Sequence, residues 1–455
     1  MKTNDVARKR YEVAIVGGGV TGTALAYALS RFSNVSSIIL LEKYEQVATV
    51  NSHPLNNAQT SHDGSTETNY PLDHALKVKA AATALRRYID SKNDLTLSRK
   101  VRRMVIAITE KEIQTLKKRY TEFKPHYPDL WFSYGKHLQE IEPNIIKGRD
   151  PNKPIMAMGS DEGYIVDYQQ LAIHMTKDAE INNNKFRIRF NSPVGLIKKC
   201  DSPSFNIGGK PFLGYVLSTP SGLIFANTVV FAAGPYSLFF AQKLGYGLDY
   251  GILSVAGSFY DTGHWLENKV YRMQVEGRPF AEIHGDPDIL DMTKTRFGPT
   301  TKVLPLMERH HYETFKDFLQ LPLATSLRGI VSLLKILWKR RLTWYVLKNI
   351  LFDIPVIGKI LFLQEVRKVV PMMRYKDLKL RKGAGGIRPQ IVNLKTGDLE
   401  IGDASLVGDK IIFNTTPSPG ASVCLGNAHR DAKRIVEFLG PGYQFDEEKF
   451  QKELG

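Results

Sequence analysis

The sequence predicts an α/β fold: a doubly wound domain around a parallel sheet, interwoven with an α+β domain built on a mixed sheet. Three observations predict it. A strand, a glycine cluster, a helix, a second strand and an acid follow one another within the first 42 residues. Strand-like alternation returns at 184–200 and 213–232, after intervening helical stretches. At 455 residues the chain exceeds one ordinary core and reads as two domains.

Residues 11–16 (YEVAIV) read as a buried parallel strand. Gly17, Gly18, Gly19, Val20, Thr21 and Gly22 then fit G-x-G-x-x-G, and the helix-forming run 23–32 follows. Residues 37–41 (SIILL) form the second strand, closed by Glu42. That acid stands 20 residues beyond Gly22, where a Rossmann-type domain places its ribose ligand. The first glycine permits a tight turn, the second lets backbone approach a pyrophosphate, and the third lets helix and strand pack closely. The helix N-terminus offers free N–H groups and partial positive charge to the phosphates. The pattern indicates a dinucleotide without separating NAD from FAD.

Residues 57–70 (NAQTSHDGSTETNY) are almost wholly polar, which by default means an exposed loop. A helix is predicted over 71–91 with Pro71 near its start, a strand over 103–108 and a charged helix over 109–122. Residues 220–222 (PSG) make a turn, and 228–237 (TVVFAAGPYS) run from an apolar strand into small residues. Near the C-terminus, Ser418 suits an N-cap with Pro419 at the first helical position, and Gly440 suits a stop. Ala421, Cys424, Leu425, Ala428, Ala432, Ile435, Val436 and Leu439 keep one face apolar, so Cys424 reads as core.

Residues 321–370 are apolar and basic together, with nine Lys/Arg against Asp353 and Glu365. Leu327, Ile330, Val331, Leu334, Leu337 and Trp338 recur at helical spacing, and Trp344 and Tyr345 follow. Two readings stand: a helical subdomain packed on the body, or an interfacial surface that meets anionic headgroups.

The formal charge of +16 calls for an anionic counterpart. The chain carries no helix-turn-helix, zinc-finger or ribonucleoprotein signature, which argues against nucleic acid and leaves acidic lipid or a small anion. Two cysteines, Cys200 and Cys424, make neither a disulfide framework nor a metal spacing, so no metal and a reducing compartment are expected. The polar N-terminus lacks an apolar h-region, and no 18-residue uncharged apolar run occurs; neither a secretory signal nor a membrane span is expected.

The stretches IVGGGVTG, NAQTSHDGSTETNY, FAAGPYS, VAGSFY, HGDPD, RFGPT, GIRPQ and FNTTPSPGASVCLGNA span nearly the whole chain. Together they resemble the malate:quinone oxidoreductases, within the D-amino-acid-oxidase-like flavoprotein superfamily. The resemblance implies FAD, oxidation of L-malate to oxaloacetate in the tricarboxylic acid cycle, and electron transfer to quinone. It implies a peripheral enzyme on the cytoplasmic face of the inner membrane, or on the matrix side in a mitochondrion. The FAD domain would comprise 1–90, 150–240 and 380–455, and the substrate domain 91–149 and 241–379. Cofactor contacts would come from Gly17, Gly18, Gly19, Gly22, Glu42 and Lys43, from Gln59, Thr60 and Ser61, and from Val194. Ala233, Gly234, Pro419, Gly420 and Ala421 would complete them, with the helix after Ser418 aiming its N-terminus at the flavin.

Oxidising a 2-hydroxy acid also requires a group that takes the hydroxyl proton, which favours histidine. His284 in EIHGDPD is the first candidate and His62 the second. A dicarboxylate calls for planar, bidentate cations, hence arginine. Arg388 in GIRPQ stands where the superfamily carries its substrate arginine, and Arg296 in RFGPT is the candidate for the other carboxylate. An L-2-hydroxyglutarate or related 2-hydroxy-acid dehydrogenase on the same fold is the nearest alternative. A carrier that lost its cofactor is a further one, and the intact glycines and Glu42 argue against it.

Overall fold

The computed structural model describes residues 9–201, 206–207, 210–274, 282–321, 351–352, 354, 356–399, 405–415 and 419–455, with Val331 and Lys335. The chain begins with β1 (Lys9–Val16), α1 (Val20–Phe32) and β2 (Ile38–Leu41), as the first forty residues predict. Strand β1 lies between β2 and the strand Gly222–Phe231, parallel to both, with Val13 opposite Ile38 and Thr228. Arg187–Arg189 continues the parallel set beyond β2, and Ile411–Asn414 continues it beyond Gly222–Phe231. Four consecutive buried residues in β2 show why it reads as an unbroken apolar run: both faces are covered. Helix α1 is buried on nearly every side. Its Ala-rich surface lets it sit closely between the sheet and the helices Tyr168–Asn182 and Cys424–Leu439.

A second, eight-stranded mixed sheet supplies the other wall of the molecule. Its order is Lys379–Leu380, Tyr260–Thr262, Asp291–Gly298, His284–Asp288, Lys269–Arg272, β3 (Ser98–Ala107), Met156–Val166 and Leu130–Tyr134. A four-stranded sheet pairs Tyr250–Ala256 with Ile387–Asn393, setting Val255 opposite Arg388. The helices expected near 71–91 and 109–122 are α2 (Leu72–Lys92) and α3 (Glu110–Phe123). A reciprocal capping box between Thr109 and Glu112 starts α3.

Several expectations need correction. Met156–Val166 pairs with β3 in the mixed sheet, whereas the resemblance places 150–240 in the nucleotide domain. Ile387–Asn393 pairs in the four-stranded sheet, with Ile391 in the core shared with Val16, Leu41 and Phe231 of the parallel one. Strand pairing, invisible in local composition, decides where each strand lies. The HGDPD stretch is a strand, His284–Asp288. The last long helix starts at Cys424, and residues 419–423 form turns before it; Ser418 lies outside the described residues. The Ser422 hydroxyl donates to Thr60 O (3.1 Å) and accepts from His62 N (2.9 Å), which ties that turn to the polar stretch. Cys424 is fully buried, and burial pushes its thiol up to about 12.

Of the basic apolar segment, Leu327, Ile330, Leu334, Leu337, Trp338, Trp344 and Tyr345 lie outside the described residues. The described helix Ile357–Arg367 buries Phe362, Leu363 and Val366 in the core beside the mixed sheet, with Phe362 stacked on Tyr260 at 4.3 Å. Its other face exposes Ile357 (55%) and Ile360 (46%), next to Val356 (62%). Among the described residues, no helix is long and apolar enough to cross a membrane.

Candidate active site

One cavity of about 570 Å³ reaches from the glycine turn after β1 to the polar stretch after β2. Gly17, Gly19, Glu42 and Lys43 line it, as do Gln59, Thr60, His62, Val194, Ala233, Gly234, Arg388, Pro419, Gly420 and Ala421. Gly17 adopts φ +107°, and a Cβ there would stand 2.5 Å from Ala232 O. Gly19 differs: the nearest atom to a Cβ would be Ser52 Oγ at 3.5 Å, so the backbone opens onto the cavity. Gly19 has no side chain to cap α1; Ser52 Oγ accepts from Val20 N at 3.1 Å, and Thr21, the next helical residue, lines the cavity. Gly18 N donates to Glu42 Oε2 at 2.6 Å and Tyr44 N to Oε1 at 2.9 Å. These bonds aim a buried carboxylate along the cavity wall, and burial pushes it above the usual carboxylate range.

A backbone cradle for phosphates with a carboxylate 20 residues on is what a dinucleotide requires. Gly22 is not itself in the lining; its role is packing, since a Cβ there would stand 2.0 Å from Gly17 O. Gly18 acts through Glu42. Lys43 pairs with Glu308 at 2.6 Å and lies over the rings of Tyr44 and Tyr236.

The polar stretch is not an exposed loop. Gln59, Thr60, Ser61, Asp63, Ser65, Thr66 and Glu67 are all buried. The Gln59 amide bridges Asp288 Oδ1 (2.9 Å), Pro54 O (3.1 Å) and Ile289 N (2.9 Å), so it braces the wall from within. Thr60 O accepts from Tyr168 Oη at 2.6 Å. Ser61 is fully buried and does not line the cavity; its carbonyl accepts from Arg103 Nη1 at 3.1 Å. Asp63 takes Arg86 and Arg103, whose charges outweigh burial and hold its carboxyl well below the usual range. Arg119 donates to the carbonyls of Gly64, Glu67 and Tyr70, closing the stretch into a rigid fold.

The four candidate catalytic side chains divide. His62 and Arg388 line the cavity. His62 Nδ1 stands 2.5 Å from Glu67 Oε1. Arg388 rides on a paired strand, which fixes where its guanidinium starts. His284 is 2% exposed and lies behind the lining. Burial, then Lys269, Arg388, Arg296 and His62, push its imidazole well below the ordinary range. Its Nε2 is 3.4 Å from Asp286 Oδ1, without the alignment of a hydrogen bond.

Arg296 is 0% exposed, and its place does not match a carboxylate-binding role. Its guanidinium donates to Asp286 Oδ2 (2.9 Å) and to the carbonyls of Pro54 and Asn57 (3.3 Å each), and it lies over Phe259. It props the polar stretch against the mixed sheet.

Sequence reasoning passed over Glu67, Arg103 and Lys269. Arg103 alternates with Val105 and Ala107 along β3, and a cation at an inward position of an apolar strand was the available signal. Lys269 donates to Ala58 O at 3.0 Å and pairs with Asp286 at 3.2 Å; burial lowers it to about 8. Among the described residues, no cluster of His, Cys, Asp and Glu could hold a metal ion.

Comparison with solved structures supports the fold. An L-alpha-glycerophosphate oxidase from Mycoplasma pneumoniae with FAD bound superposes with a TM-score of 0.63 at 16% identity, over 94% of this chain and 95% of that one. A glycine oxidase from Geobacillus kaustophilus gives 0.63 at 17% identity, with the same coverage of each chain. A probable malate:quinone oxidoreductase of Campylobacter jejuni is 38% identical over 99% of this chain and 100% of its own length. A malate:quinone oxidoreductase of Helicobacter pylori is 34% identical over 98% of both chains. The malate:quinone oxidoreductase family model matches residues 9–428, and the chain belongs to that family.

Proposed function

We infer that the chain is a flavin-dependent enzyme that oxidises malate to oxaloacetate and delivers the electrons to quinone. Full-length likeness to malate:quinone oxidoreductases supports it. The observation that carries it is that one cavity joins the dinucleotide cradle to His62 and Arg388. Gly17, Gly19, Glu42, Val194, Ala233, Gly234 and the Pro419–Ala421 turn would hold FAD, which when bound supplies two-electron oxidation. Arg388 grips one substrate carboxylate through charge-assisted bonds. His62 takes the hydroxyl proton. This role goes to His62 rather than His284, because His62 lines the cavity while His284 lies behind it and resists protonation. Asp63, Arg103 and Arg119 hold the polar stretch in place, so the base meets its substrate without reordering a loop.

The electron acceptor being a quinone, the enzyme docks on an anionic membrane surface, on its cytoplasmic face. Support comes from the outward Val356, Ile357 and Ile360 and from the nine basic residues of 321–370. Anaerobic flavin reduction by malate in His62→Ala and His284→Ala tests the base. His62→Ala should be slower by about a hundredfold with flavin still bound. The reverse ordering would return the role to His284.

A further inference from the structure

We propose that Glu67 is the positioning residue of the proton acceptor: it fixes the proton of neutral His62 on Nδ1, leaves Nε2 free for the substrate hydroxyl, and stabilises the imidazolium that forms. This rests on the reading of His62 as the base.

The geometry is that of a carboxylate behind a ring. His62 lines the cavity; Glu67 is buried and does not. The 2.5 Å contact joins Glu67 Oε1 to the ring's Nδ1. An ionised carboxylate only accepts hydrogen bonds, so in a neutral imidazole the proton facing it must sit on Nδ1. Burial alone would push the Glu67 carboxyl up; His62 and Arg103 together hold it below its ordinary value.

Both partners are pinned. His62 N donates to Ser422 Oγ, and the Glu67 carbonyl accepts from Arg119 Nη2 at 2.8 Å. Among the described residues, the charged and titratable groups around the pair include Asp63, Arg103, Arg119, Tyr70, Tyr127, Lys269, Tyr271 and His284, with Arg388 in the same cavity. Of the two acids in the stretch, Asp63 is taken by Arg86 and Arg103, which leaves Glu67 to face the imidazole.

The step balances. Bound FAD would supply the oxidant, accepting the electron pair of the breaking substrate C2–H bond as hydride. The hydroxyl O–H bond breaks with its proton passing to His62 Nε2, and C2–O becomes a carbonyl. The ring goes from neutral to cationic 2.5 Å from an anion that was there beforehand, the preorganised arrangement that lowers a barrier.

The test uses the holoenzyme and two readouts. Anaerobic flavin reduction by L-malate is followed across pH for parent, Glu67→Gln, His62→Ala and the double variant. Glu67→Gln keeps the size and an acceptor oxygen but removes the charge. It should slow reduction at saturating malate by about thirtyfold or more, with half-saturation little changed and the acid limb moved to lower pH. In the His62→Ala background the same change should cost about threefold or less, because the pair acts as a unit. Independently, the imidazole ¹⁵N signals of parent His62 should show Nδ1 protonated and Nε2 bare. That measurement decides the case even if Glu67→Gln loses its flavin. Parent-like rate and pH limb in Glu67→Gln, an equal loss in both backgrounds, or an Nε2-protonated ring would overturn the proposal. A parent-like rate in His62→Ala would instead bring down the reading of His62 as the base.

Discussion

A Cβ on Gly22 would stand 2.0 Å from the carbonyl oxygen of Gly17, whereas one on Gly19 would meet nothing closer than Ser52 Oγ at 3.5 Å. The first contact is backbone on backbone and cannot give way. The second position faces the cavity. The two glycines therefore fail differently. Gly22→Val should abolish soluble expression. Gly19→Val should give folded protein that purifies colourless, read as the flavin-to-protein absorbance ratio. Stoichiometric flavin in Gly19→Val would contradict the cradle.

Arg388 and Arg296 should separate in the same way. Arg388→Ala should lose about a hundredfold or more in kcat/KM, about 3 kcal/mol. Arg388→Lys should also be impaired, since a point charge does not replace the planar fork. Arg296→Ala breaks a fully buried pair with Asp286 and should destabilise the fold by about 3–5 kcal/mol. Its KM for malate, measured below the melting transition, should stay near the parent value.

Glu142 gives a pH test of the substrate-side fold. Its Oε2 accepts from Glu267 N (3.1 Å) and from Asn268 N (2.9 Å) and Nδ2 (3.2 Å), and burial raises its carboxyl from 4.5 to about 7. The folded state then binds more protons than the unfolded one between those values. The stability it contributes is complete below about 4.5 and is lost as pH rises through about 7. Glu142→Gln keeps an acceptor and removes the titration. The melting temperature of the variant relative to the parent should climb from pH 5 to pH 8; a constant offset would contradict the assignment.

Much of the fold was legible in the sequence because its signals are local. The β1–glycine–α1–β2–Glu42 series is fixed by turn sterics and helix-end charge, and the structure reproduces it element by element. Helices α2 and α3 fall where Pro71 and the charged run over 109–122 place them. What was not legible depends on pairing at long range. Met156–Val166 joins β3 and Ile387–Asn393 joins Tyr250–Ala256, and neither partner is encoded in the strand itself. The site shows the same division. His62 and Arg388 reach the cavity, but the sequence could not tell that Arg296, equally apt by chemistry, is turned inward onto Asp286. The polar stretch 57–70 is a surface loop by composition and a wall of the flavin site by resemblance; it is buried because Arg86, Arg103 and Arg119, distant in sequence, satisfy it.

Vesicle co-sedimentation tests membrane docking. The nine basic residues of 321–370, each attracted to an anionic surface by about 1 kcal/mol when close to it, should make binding depend on anionic lipid and weaken with salt. Replacing Lys339, Arg340 and Arg341 with Glu should reduce it. Ile357→Ser with Ile360→Ser should remove a salt-resistant part, because both side chains face outward. Lipid-independent absence of binding, with full turnover of a long-chain quinone in detergent-free buffer, would favour the packed-subdomain reading.

The most direct measurement is anaerobic mixing of the purified holoenzyme with L-malate, D-malate, lactate, L-2-hydroxyglutarate and glycerol 3-phosphate, followed by addition of a quinone. L-Malate should bleach the flavin absorbance fastest, with oxaloacetate formed in equal amount, and quinone should restore the colour. Flavin that stays oxidised with L-malate while another of these substrates bleaches it would contradict the account.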